Sequence, residues 1–182
     1  MKRAIVAGIL MVAVFLSRAQ RPNNESAAPP EIKKTVDALV GLWLLTGTNT
    51  ESGAKTPVNF EMKMDCKRAA LGAAVTCSFS GKMPGVGPLE ASAVIGYDPE
   101  EKVVRWMEIS STGEYHDHRG RWKNNAIEFE PLEYSVSGKK ATEDLRIAFP
   151  ASGKLTLTST TQTAEGKSVL ECTGNRVGSK SR

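Results

Sequence analysis

Val58-Asn59-Phe60-Glu61-Met62-Lys63-Met64-Asp65-Cys66, answered a few residues on by Val75-Thr76-Cys77-Ser78-Phe79, is the stretch that decides the fold. Val58, Phe60, Met62, Met64 and Cys66 alternate with Asn59, Glu61, Lys63 and Asp65, and a period of two belongs to a half-buried strand. Val75, Cys77 and Phe79 form a second apolar set of the same period. A tight turn centred on Leu71-Gly72 sets Cys66 opposite Cys77 and Met64 opposite Phe79, all on the apolar face. The expected bridge is therefore Cys66–Cys77, with Cys172 left as a thiol. Three buried, unpaired thiols behaving as small hydrophobes are the alternative.

The same alternation recurs downstream. Leu89, Ala91, Ala93 and Ile95 share one parity, as do Leu145, Ile147 and Phe149, then Leu155 and Leu157, then Leu170 and Cys172. Turn chemistry separates the runs: Pro84-Gly85-Val86-Gly87, Asp98-Pro99-Glu100-Glu101, Asn124-Asn125, Ser137-Gly138, Ser152-Gly153 and Glu165-Gly166. The runs between these signals make about nine or ten strands. Upstream, Ile32, Val36 and Leu39 keep helical spacing within Glu31 to Val40, with Pro30 in or beside the first turn of a short amphipathic helix. The class is all-β, an antiparallel meander in one domain. Closure into a barrel removes the two exposed edges of such a meander; a two-sheet sandwich fits the same periodicity.

The first nineteen residues read differently. Lys2 and Arg3 precede thirteen apolar or Gly residues, Ala4 to Leu16, and Ser17-Arg18-Ala19 puts small residues at −3 and −1 of a cut. Thirteen helical residues rise about 20 Å, short of a hydrocarbon layer of roughly 30 Å. Residues 1–19 are thus expected to be a cleaved signal peptide, not a membrane span, on a secreted or periplasmic chain. No Cys stands at the cut for a lipid anchor. Residues 20–30 are expected to be a flexible leader, 31–177 the barrel domain and 178–182 a flexible tail.

Charge follows from that cut. The chain of 182 residues carries 24 bases and 20 acids. Removing residues 1–19 takes away Lys2, Arg3 and Arg18 and no acid, which leaves 21 bases. With the sum so close to neutral and no basic stripe interleaved with aromatics, nucleic acid is not an expected partner. The oligomeric state has no signature in the sequence.

Gly41-Leu42-Trp43, just after the helix, resembles the Gly-x-Trp start of the lipocalins and the wider calycin group. In that group an Arg near the end of the last strand often covers the Trp, and Arg176 follows the final strand here; the resemblance implies structural roles for Trp43 and Arg176. Gly96-Tyr97-Asp98-Pro99, a strand holding Trp106, the turn Ser111-Thr112-Gly113 and then Gly120-Arg121-Trp122 are similar in layout to an often secreted bacterial family numbered 1579 among the domains of unknown function. The likeness spans roughly residues 35–177. Where many members read Trp-x-Asp, this chain reads Trp106-Met107-Glu108. The resemblance implies a calycin-like (lipocalin-like) closed β-barrel of about 8–10 strands, and barrels of that size can enclose one small ligand. It implies no reaction.

One constellation carries chemistry. Both histidines lie in Glu114-Tyr115-His116-Asp117-His118, and on a strand Glu114, His116 and His118 share a face. A three-residue loop Ser111-Thr112-Gly113, with Gly113 left-handed, sets Glu108 opposite His116 and Trp106 opposite His118. Glu108, His116 and His118 then resemble a two-His-one-carboxylate metal set. A two-residue turn at Thr112-Gly113 places Ile109 opposite His116 instead. Turned inward, Trp106, Glu108, Glu114, His116 and His118 are ligand-binding candidates; turned outward, they are a solvated strand face.

There is no Gly-x-Ser-x-Gly elbow, phosphate-cradling Gly loop, dinucleotide fingerprint or Cys-x-x-Cys spacing. No cofactor is expected, apart from a metal at Glu108, His116 and His118. Three functions remain: a barrel binding a small apolar molecule, a metal- or acid/base-assisted enzyme using Glu108, His116 and His118, and an envelope interaction module with a filled core.

Overall fold

A computed structural model describes residues 29–178 apart from 84 and 137. The expected signal peptide and most of the leader and tail lie outside the described residues. The chain forms helix α1 (Pro30–Leu39), then β1 (Gly41–Thr50), β2 (Val58–Ala69), β3 (Ala74–Met83), β4 (Gly87–Asp98), β5 (Val103–Ser110), β6 (Tyr115–Lys123), β7 (Ala126–Phe129), β8 (Leu132–Val136), β9 (Lys139–Ala151), β10 (Lys154–Thr163) and β11 (Gly166–Val177). Every pairing is antiparallel. The order runs β10-β11-β1-β2-β3-β4-β5-β6-β7-β9-β8, and a β9–β10 ladder closes the ring. Ten strands make the barrel, and β8 lies against the first half of β9. The β9–β10 ladder makes the ring, the outcome that closure predicts and a sandwich would not, while β8 pairs with β9 alone and the first half of β6 has no ladder on the side away from β5.

The β2–β3 hairpin holds the expected register. Cys66 pairs with Cys77 and Met64 with Phe79. The two Cα atoms of the first pair are 4.1 Å apart and a disulfide joins them. Cys172 is free and buried. A short 3-10 turn, Ala70–Gly72, connects the strands, with Leu71 at a left-handed φ of 55°.

Helix α1 closes one end of the barrel. It begins at Pro30, in the first turn as the sequence allows, although the expected leader runs to that residue; with φ already fixed and no N–H to leave unpaired, proline suits the first helical position. Ile32, Thr35, Val36 and Leu39 are buried on one stripe of the helix. Beneath it Trp43 is fully buried, and its indole N–H donates to the Leu39 carbonyl at 2.7 Å. Trp122 donates to Thr35 Oγ1 at 3.0 Å, so two indoles tie the helix to the wall. Inside, Gly174 makes room for others: a Cβ there would meet Leu45 and Leu155 side-chain carbons at 2.7 Å. No helix among the described residues is long and apolar enough to cross a membrane.

At the other end the β1–β2, β5–β6 and β10–β11 connections surround an opening lined by Glu51, Ser52, Glu114 and Glu165, among others. The barrel thus has a capped bottom and an open mouth.

Candidate functional site

The site is built on the β5–β6 hairpin. Gly113 has φ 85°, and the Gly113 N–H bonds the Ser110 carbonyl, so the loop is the three-residue form. Glu108 consequently pairs with His116 and Trp106 with His118. Alternation then aims Trp106, Glu108, His116 and His118 into the barrel, where all four line an interior cavity of about 190 Å³. Leu45, Phe60, Phe79, Leu145 and Leu157 are among the residues of its apolar wall. Glu114 stands outside this set. It precedes β6 and lines the mouth, a second space of about 500 Å³. His116, Glu143, Ser159 and Leu170 line both spaces and so form the boundary between them.

Trp106 is 3% exposed and makes an edge-on contact with Phe129, ring centroids 6.3 Å apart. Its indole N–H donates to Glu108 Oε2 at 3.0 Å. The carboxylate of Glu108 is thereby turned along its own strand toward the indole. Burial raises the Glu108 pKa above the usual carboxylate range, against the opposing pull of the Trp106 bond and the charge of His116.

The carboxylate that joins the histidines is Glu143 of β9. His116 Nδ1 lies 3.2 Å and His118 Nε2 3.5 Å from Glu143 Oε2. Donor atoms of the three residues all fall within 4.8 Å of one another. The grouping expected from the sequence, Glu108 with both histidines, is therefore replaced by Glu143 with both, because Glu108 is engaged by Trp106. Ser159 Oγ donates to Glu143 Oε1. Burial works against the ionised carboxyl of Glu143, but the His116 and Ser159 side chains and the charge of both imidazoles outweigh it and hold the pKa low. Burial also opposes charge on His116, and the nearby Glu143 carboxylate overcomes it and raises that imidazole's pKa. His118, deeper, is pushed down by burial. The His116 ring packs at a tilt against Tyr134 of β8, centroids 4.4 Å apart.

Glu143 had a signal in the sequence. Leu145, Ile147 and Phe149 define an apolar parity, and extending it two residues back lands on Glu143. A carboxylate at an inward register position, with several kcal/mol at stake if unpaired, marks a site as clearly as a histidine does.

At the capped end Arg176 pairs with Trp43 across β1–β11, and its guanidinium carbon lies 4.6 Å from the ring centroid. These two residues belong to the closure of the barrel and take no part in the cavity.

Fold and site together define a calycin-like (lipocalin-like) β-barrel with a hollow interior and a polar cluster near its mouth. The chain belongs to the family described as "Protein of unknown function (DUF1579)", whose model matches residues 28–172. No curated protein matches it by sequence. Among solved structures it is similar to the S-type phycobiliprotein lyase CPES from Guillardia theta, with TM-score 0.59 and 15% identity over 82% of this chain and 94% of that one. It is also similar to Rv2717c from M. tuberculosis, with TM-score 0.57 and 12% identity over 80% of this chain and 96% of that one. At these identities the likeness is one of fold.

Proposed function

We propose that this is a secreted or periplasmic binding protein that holds a small, largely apolar molecule inside the barrel, its polar end beside His116, His118 and Glu143. The observation that carries the reading is the cavity itself. At about 190 Å³ it exceeds the roughly 150 Å³ that suffices for a benzene-sized guest in a protein core. It is walled by Leu, Phe and Trp side chains, and its few polar groups converge at the end nearest the mouth, the usual division between affinity and orientation in a ligand site. A filled-core interaction module has no use for such a space. Residues 1–19 and the Cys66–Cys77 bridge support an oxidising compartment. One of the similar barrels is a phycobiliprotein lyase, which fits a scaffold suited to small molecules.

The test uses the neutral fluorophore N-phenyl-1-naphthylamine. Titrated into the protein, it should quench tryptophan emission saturably, and Trp106→Phe should remove most of that quenching while leaving the thermal transition in place. Organic extraction of freshly purified protein followed by mass spectrometry should recover a bound apolar compound. Absence of saturable quenching together with an empty extract would end this reading.

A further inference from the structure

We propose that His116, His118 and Glu143 form a binding site for a borderline divalent transition-metal ion of the zinc type, with an open coordination position facing the apolar cavity. This goes beyond the apolar-ligand reading and stands independently of it.

Three observations converge. First, the donor set is assembled by the backbone. His116 and His118 are two apart on β6, and Glu143 faces them from β9. Two of the three donor spacings match a coordination polyhedron, and the third, between the imidazoles, is no more than 4.8 Å. Metal–ligand bonds of about 2.0–2.1 Å in a tetrahedron put neighbouring donors roughly 3.3–3.4 Å apart. The two edges from Glu143 Oε2 are 3.2 and 3.5 Å.

Second, Glu143 Oε2 is buried and accepts no hydrogen bond, although its side chain is only 9% exposed. The approach of His116 Nδ1 falls short of hydrogen-bond geometry. Among the described residues, Glu143 has no Lys or Arg ion-pair partner; its two contacts of that kind are the imidazoles. A buried carboxylate oxygen aimed between two imidazoles can be satisfied by a metal cation bound by all three side chains.

Third, the carboxylate is held from behind. Ser159 Oγ occupies Oε1 and leaves Oε2 toward the histidines, the arrangement by which outer-shell groups orient a ligand. Two imidazole nitrogens and one carboxylate oxygen favour zinc, cobalt or nickel over magnesium or calcium, which prefer oxygen donors throughout. Three protein donors leave a fourth position; all three donors line the apolar cavity, and His116 and Glu143 line the mouth as well.

The experiment uses untagged, EDTA-treated full chain and cobalt(II) or zinc(II) alone. The wild type should take up one equivalent, with cobalt giving the intense visible bands of a low-coordinate site and zinc displacing it. Long-range proton–nitrogen spectra with zinc should shift His116 Nδ1 and His118 Nε2, leaving His116 Nε2 and His118 Nδ1 as the protonated nitrogens. Glu143→Gln, which preserves size, should weaken binding by more than the roughly 10–100-fold that loss of an outer-shell partner costs. Uptake that is absent, that is equal in Glu143→Gln, or that shifts the opposite nitrogens would overturn the proposal. The nitrogen assignment is made on the wild type, so it decides the question even if a variant fails to fold. The naphthylamine titration run on metal-free protein reports on the cavity separately, so either reading can fail alone.

Discussion

Arg176 covers Trp43 with its guanidinium, 4.6 Å from the ring centroid, while the same group donates to the carbonyls of Asp37 and Ala38 in the last turn of α1. One side chain thus completes the helix end, whose carbonyls have no partner within the helix, and lies over the indole on which the helix sits. Trp43 in turn donates to Leu39. Helix, first strand and last strand meet at these two residues.

Trp43→Ala should lower stability by about 3–5 kcal/mol, the range for emptying a buried aromatic site. Arg176→Ala should cost about 1–3 kcal/mol, from the cation–ring contact and the lost carbonyl bonds. In equilibrium urea denaturation the double variant should fall short of the sum, because the ring contact can be lost only once. Strict additivity would show that the two act independently.

The thiol count should separate the cysteines. Denatured, unreduced protein should titrate one thiol and reduced protein three, since Cys66 and Cys77 are bridged and Cys172 is free. The bridge closes a short loop, with a sequence separation of 11. A loop of that size restrains the unfolded chain by about 2–3 kcal/mol, so Cys66→Ala with Cys77→Ala should lower stability by that amount. Three thiols without reductant would remove the bridge from the protein as it is made.

Cys172 should be inert until the barrel opens. Burial pushes its thiol from 9.0 to about 11, so the nucleophilic thiolate is scarce at pH 8. Iodoacetamide should leave the native protein unmodified and label it on unfolding. The sign of the pH effect follows from the folded state holding this proton more tightly than the unfolded one: the contribution is fully present below about 9 and lost as pH rises toward 11. Cys172→Ala should flatten the alkaline fall of the melting temperature across that window. An unchanged slope would assign the fall to other groups.

How much of this the sequence discloses depends on how local each feature is. The β2–β3 hairpin is readable to single-residue register because a period of two leaves one apolar pairing, Cys66 with Cys77; for β5–β6 the sequence leaves two turns open, and the structure selects the three-residue loop, with Gly113 left-handed and Trp106 opposite His118. The helix is readable from Ile32, Val36 and Leu39. The split of one stretch into β7 and β8, which pair with successive halves of β9, is not, because the break at Glu130-Pro131 takes its meaning from a partner strand later in the chain. The inward parity of Glu143 is legible, but that it partners the histidines is hidden for the same reason. Glu108 is close in sequence and pairs across the hairpin, whereas Glu143 comes into range only when the ring closes. Whether the interior is hollow depends on how residues such as Gly174, Leu45 and Leu155 share space across three strands, which no single strand's pattern contains.

The helix across one end gives the barrel a direction of traffic. With α1 seated over Trp43, a guest of the kind proposed above would come and go through the rim marked by Glu51, Glu114 and Glu165. For such a guest, fit and dwell time would be written in different residues: the wall that includes Leu45, Phe60, Phe79 and Trp106 would select what can be accommodated, while the rim and the His116–Glu143 boundary would set how long it stays. Substitutions at the rim can change the rate of release without altering which guest is chosen.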